Sequence, residues 1–68
     1  MDEKFTISLA AARVNAELTQ EEVAKTLNVG KQTIHNWESG KVDIRANQLK
    51  KLSNLYKCPI ELIRIQRK

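Results

Sequence analysis

The stretch Thr19-Gln20-Glu21-Glu22-Val23-Ala24 constrains this chain more than any other, because it marks both a helix start and a close helix crossing. Thr19 and Glu22 stand at capping-box spacing: the threonine hydroxyl can accept the Glu22 amide, and the Glu22 carboxylate can reach back to the Thr19 amide. Val23, Ala24 and Leu27 then face inward, and Ala24 is small enough to let another helix approach. Asn28 follows, a residue that tolerates the left-handed conformation of a sharp turn. A further helix from about Lys31 to Ser39 ends at Gly40, a residue suited to a helix C-terminus. Leu27, Val29, Ile34 and Trp37 are the apolar residues that can lock it in place. Residues 20–39 therefore read as two short helices crossing at a tight turn.

The rest of the chain is consistent with an all-α fold. Glycine occurs only at Gly30 and Gly40 and proline only at Pro59. No stretch alternates β-branched and polar residues over a useful length, and the periodicity is helical throughout. A first helix is expected from about Thr6 to Glu17, with Ile7, Ala10, Ala11 and Val14 as its apolar stripe. A fourth covers about Ala46 to Tyr56, with Leu49, Leu52, Leu55 and Tyr56 inward and either Asp43 or Asn47 as cap. A fifth starts near Pro59, a residue suited to a first helical position, and Ile60 and Ile63 close the core. The expectation is five short helices, no sheet, and one domain over residues 1–68. Its core spans about 6–63, and 64–68 form a basic tail.

With 68 residues, such a domain buries only about 60 % of the surface its unfolded chain exposes. That leaves little room for an enclosed active site. The single cysteine, Cys58, cannot form an internal disulfide, which fits a reducing compartment. The opening Met1-Asp2-Glu3-Lys4 is acidic where a secretory leader is basic. No apolar run approaches the roughly 20 residues of a membrane span. A cytoplasmic protein with no membrane partner is expected.

The net charge of +4 is unevenly placed. Residues 1–40 carry four basic and six acidic side chains, and residues 41–68 carry eight and two. This asymmetry fits a polyanionic partner, and it equally fits a soluble surface with a frayed basic tail. The helix from Lys31 to Ser39 is more specific. At about 100° per residue, Lys31, Gln32, His35, Asn36 and Ser39 share an arc of about 140°, opposite Ile34 and Trp37. Gln and Asn pair bidentately with adenine and Lys donates to guanine O6 and N7, each good pair giving about 1–3 kcal/mol of discrimination. A polar face alone is what any solvated amphipathic helix carries. Its coincidence with the capping box, Ala24, Asn28, Ile34 and Trp37 points to double-stranded DNA.

Leu18-Thr19-Gln20-Glu21-Glu22-Val23-Ala24, followed by Gln32-Thr33-Ile34-His35-Asn36-Trp37-Glu38-Ser39-Gly40-Lys41, resembles the phage repressor and Cro, or Xre-like, family. The resemblance extends from about Thr6 to Ile63. It implies a compact five-helix lambda-repressor-like domain with a helix-turn-helix in helices two and three. It further implies a transcription regulator of a phage, mobile element or bacterial operon, without cofactor, metal or small-molecule ligand. Positions matching Gly30, Lys31, Gln32 and Asn36 approach base edges in the family, with His35 beside them. Those matching Thr19 and Gln20 hold a phosphate, where helix amides and dipole favour an anion. Those matching Ser39, Lys41 and Asn47 contact the DNA backbone, and Arg45 is a further candidate for phosphate or minor groove. Arg13 matches an arginine that pairs with a glutamate at the position of Glu38, tying the first helix to the third and presenting its guanidinium to a phosphate. Ala24, Asn28, Ile34, Trp37 and Glu38 are the structural positions. This chain departs from the pattern at Gly30, where the family has a capping Ser or Thr, and at Asn28, where it has glycine. Asp43 and Ile44 make the connection after Gly40 less basic, which puts a minor-groove contact there in doubt.

The remaining conspicuous residues have plain roles. Trp37, Tyr56 and Phe5 read as core or core-edge residues, and Cys58 as a small apolar one. Leu62 and Ile65 are expected to stay exposed, as an oligomer contact or as part of a frayed tail. Homodimerisation suits operator binding, whose half-sites lie about 34 Å apart. A competing function is an antitoxin-type or other interaction module that uses those apolar residues on a protein while also binding DNA. An enzyme finds no support: there are no paired carboxylates, no activated nucleophile, no metal-ligand spacing and no glycine-rich phosphate loop.

Overall fold

The computed structural model describes residues 6–65. Its elements in chain order are β1 (Ile7–Ser8), α1 (Leu9–Asn15), α2 (Gln20–Leu27), α3 (Lys31–Ser39), α4 (Ala46–Tyr56), a 3₁₀ turn (Ile60–Leu62) and β2 (Ile63–Arg64). Phe5 and the tail residues Arg67 and Lys68 lie outside the described residues.

The two central helices form for the reasons their sequence implies. Thr19 Oγ1 accepts the Glu22 amide at 3.1 Å, and Glu22 Oε1 accepts the Thr19 amide at 2.8 Å, so α2 starts on a complete capping box. Asn28 ends it in the left-handed region at φ 59°, and the Val29 amide closes the turn on Ala24 O at 2.9 Å. Gly40 ends α3 in the same region at φ 82°. Val23, Ala24, Ile34 and Trp37 are all buried, and α2 and α3 pack against each other.

The first helix departs from the expected pattern. It begins only at Leu9, because Ser8 caps it: Ser8 Oγ accepts the Ala11 amide at 3.1 Å. The phase shifts accordingly. Leu9 and Ala12 are buried, whereas Ala11 is exposed and Val14 is 60 % exposed. Ile7 belongs to β1. The buried face differs from the expected stripe because Ile7 lies in β1 and the helix starts at Leu9, which turns Leu9 and Ala12 inward. Glu17 takes a left-handed φ of 62° beyond the helix end, and its amide bonds Val14 O at 2.9 Å.

The C-terminal part corrects the five-helix, no-sheet expectation. Pro59 leads into one 3₁₀ turn, and by Ile63 the backbone is extended at φ −90°, ψ 122°. Ile63 and Arg64 pair in parallel with Ile7 and Ser8, joining the two ends of the described chain. Two residues of pairing from opposite ends of a chain leave no local periodicity to read. Ile63 is buried, but Ile60 is 39 % exposed, and Ile65 packs half-buried against the core instead of standing free. Leu62 is exposed as expected. α4 is capped by neither Asp43 nor Asn47: Arg45 occupies the N-cap and makes no side-chain cap bond. Lys57 ends α4 at φ 53°, and Ser53 Oγ donates to Cys58 O at 2.6 Å across that end.

Every helix contributes to one core of Leu9, Ala12, Val23, Ala24, Ile34, Trp37, Leu52, Tyr56 and Ile63. Ile34, Leu52 and Val23 are the largest fully buried side chains. In a core this small each matters: Leu52→Ala should lower unfolding free energy by about 2–5 kcal/mol. Val14→Ala, on the face the sequence pattern assigns to the core, should change it by no more than about 0.5 kcal/mol. Denaturant titration followed by Trp37 fluorescence measures both.

Candidate nucleic-acid interface

Three helices are tied together by one carboxylate. Glu38 on α3 receives Arg13 Nε from α1 at Oε2 (2.7 Å), Gln20 Nε2 from α2 at Oε1 (2.9 Å), and Arg13 NH2 at Oε1 (3.5 Å). Arg13 NH1 also donates to Leu18 O at 2.9 Å. The Arg13 and Glu38 side chains are only 16 % and 9 % exposed, so the pair is largely withdrawn from water. Its field reaches α4: the Tyr56 phenol is pushed up from its ordinary 10.0 to about 12, first by burial and then by the Glu38 charge, with Arg13 opposing. The Arg13–Glu38 pair implied by the family resemblance is thus present. Gln20 as its third member was not foreseen, since no local spacing connects positions 20 and 38.

With Ile34 and Trp37 buried and Glu38 held at the edge of the same helix, the side of α3 opposite the two apolar residues faces solvent. Lys31, Gln32, His35 and Ser39 are exposed and Asn36 is half-buried. Gln20, Lys31, Gln32 and His35 line one surface hollow. A neighbouring hollow at the start of α2 is lined by Arg13, Thr19, Gln20, Glu21 and Lys31. Within α3, Gln32 Nε2 donates to Asn36 Oδ1 at 3.1 Å. Gly30 is the N-cap of α3, and it provides no side-chain bond. A Cβ placed there would meet only Thr33 Oγ1 at 3.9 Å, so the missing hydroxyl reflects the sequence and not a lack of space.

Ser39, the last residue of α3, and Lys41, Arg45 and Asn47 beyond it are all exposed and line neither hollow. The Asn36 carbonyl holds this exit, accepting Ser39 Oγ and the Val42 amide at 3.3 Å each. Trp37 is 7 % exposed and belongs to the core, so it offers no open platform for a base. Cys58 is a free, half-buried thiol packed beside the core. Among the described residues, no group of His, Cys, Asp and Glu is placed to hold a metal ion.

A capped helix, a left-handed asparagine turn, and a second helix anchored by Ile34, Trp37 and Glu38 with a polar outer face define a helix-turn-helix. The family model described as helix-turn-helix matches residues 9–63. The chain belongs to the Xre/Cro/lambda-repressor type of that family, whose members are DNA-binding regulators and not enzymes. Comparison with curated proteins and with solved structures returns no match. No helix among the described residues is long and apolar enough to cross a membrane.

Two measurements test the network. Arg13→Ala leaves the Glu38 carboxylate largely buried without its cation, which should cost roughly 3 kcal/mol of stability by denaturant titration. Tyr56 is the chain's one tyrosine, so tyrosinate absorbance should report a midpoint of about 12 in the folded protein. An unfolded chain loses this proton near pH 10. The stabilisation from the neutral phenol is therefore complete below about pH 10 and is lost as pH rises towards about 12. Glu38→Gln should move the folded midpoint down.

Proposed function

We propose that this chain is a sequence-specific regulator of transcription, a small repressor that places α3 in the major groove of operator DNA and acts as a homodimer. The observation that carries this reading is the orientation of α3. Ile34 and Trp37 are buried and Glu38 is held by Arg13 and Gln20, so Lys31, Gln32, His35 and Asn36 are presented together on one outer face. These are the side-chain types that pair with base edges. Gly30 lets the backbone at the start of α3 come near the bases. Thr19, Gln20 and Arg13 border the hollow at the α2 N-terminus, where free amides and the helix dipole favour a phosphate. Ser39, Lys41, Arg45 and Asn47 would take the backbone on the far side. Since residues 1–40 have an acidic excess, the attraction for DNA comes mainly from the basic residues after Gly40.

A second reading has its own observation. Ile60 and Leu62, both in the 3₁₀ turn, are 39 % and 36 % exposed. Such a pair suits the homodimer contact, and it suits equally a bound protein of the kind an antitoxin-type module inhibits.

Mobility-shift titration against duplexes selected from a random pool separates these outcomes. Binding should survive excess competitor DNA and weaken steeply with salt. Lys41→Ala should weaken all duplexes alike and reduce the salt slope by about 1, whereas Gln32→Ala should relax preference at one base pair. Equal displacement by random DNA would overturn sequence-specific reading. A selected site without two related half-sites would overturn the dimer.

A further inference from the structure

The hydrogen bond between Gln32 and Asn36 divides the work on the outer face of α3. The two residues lie one turn apart on the helix, where i and i+4 side chains meet, and Gln32 Nε2 donates to Asn36 Oδ1 at 3.1 Å. A glutamine amide carries two N–H donors on one nitrogen and one acceptor oxygen. The bond to Asn36 uses one of those donors. What Gln32 still offers outward is its whole carbonyl oxygen beside a single N–H.

That remaining pattern matches one purine only. Adenine shows the major groove an N6–H donor next to the N7 acceptor, complementary to an acceptor beside a donor. Guanine shows two acceptors, N7 and O6. A free glutamine can serve guanine by spreading both hydrogens of Nε2 across N7 and O6. A glutamine that has given one hydrogen to Asn36 cannot, and its carbonyl oxygen then opposes O6. We propose that Gln32 reads adenine, and that Asn36 sets this preference as a positioning residue by holding the Gln32 amide in one orientation. The inference rests on the reading of α3 as the base-contacting helix.

The position of Asn36 suits this role. It is half-buried where Gln32 is exposed, and its own carbonyl is held by Ser39 Oγ and the Val42 amide, so the acceptor it offers stands on a fixed stretch of helix. Lys31, the other candidate base reader at the start of α3, is a pure donor and suits guanine. The outer face thus contains two readers of opposite preference in adjacent positions.

The test uses the full chain and the duplex it selects from a random pool, with the base pair sensitive to Gln32→Ala identified first. At that pair, wild type should prefer adenine over guanine by about tenfold or more. Asn36→Leu keeps the side-chain size and removes the acceptor, and it should bring that preference close to unity. Asn36→Asp keeps an acceptor at the same place. It should restore the preference for adenine, even if its added negative charge weakens binding to every duplex. The double variant Gln32→Ala, Asn36→Leu should show no further loss at this pair. Retention of the full adenine preference by Asn36→Leu, loss of it by Asn36→Asp, or a guanine preference in wild type would overturn the proposal. If instead Gln32→Ala changes no base preference at all, it is the assignment of α3 as the reading helix that fails.

Discussion

The geometry of the outer face of α3 depends on the Glu38 carboxylate and the three donor groups gathered on it. Arg13 brings α1, Gln20 brings α2, and Glu38 itself belongs to α3. A largely buried ion pair is not a strong source of net stability, because desolvation offsets most of the Coulomb attraction. Its directional consequence is stronger. Apolar contacts among Val23, Ala24, Ile34 and Trp37 tolerate small rotations of α3, whereas hydrogen bonds of 2.7 and 2.9 Å from two different helices do not. The pair therefore fixes the angle at which Lys31, Gln32, His35 and Asn36 leave the surface. It also places Gln20, a residue at the start of α2, against the same hollow that α3 lines.

Around this anchor the domain is held by economical means. A chain this short without a disulfide relies on each helix reaching the same nine-residue core. The helix ends are stopped by backbone conformation: Asn28, Gly40 and Lys57 all adopt positive φ at C-caps. The brief pairing of β1 with β2 then joins the N-terminal and C-terminal parts of the described chain and seats Ile63 in the core. Glu22 serves the α2 cap and Glu38 the buried network, while Lys41 and Arg45 remain exposed beyond the end of α3.

Local signals were legible where the physics is local. The capping box at Thr19 and Glu22, the left-handed turn at Asn28, the stop at Gly40 and the inward positions Ile34 and Trp37 follow from spacing within one or two turns, and all appear in the structure. The span of α4, Ala46–Tyr56, was equally readable from its leucines. The α1 phase was not, because deciding between Leu9 and Val14 as core requires knowing that Ser8 caps the helix and Ile7 has joined a strand. The left-handed residues Glu17 and Lys57 carry no sequence signature, since neither side chain favours that conformation.

The amino-acid sequence by itself determined a helical domain, the two-helix unit from Gln20 to Ser39, and the polar composition of its outer face. These rest on i, i+3 and i+4 relations and on caps, which neighbouring residues specify without help from the rest of the chain. The tertiary structure alone decided that Gln20 donates to Glu38, that the two ends pair in parallel, and that Ile60 stays exposed while Ile65 is covered. The first two join residues far apart along the chain, and all three depend on how the helices pack around their common core.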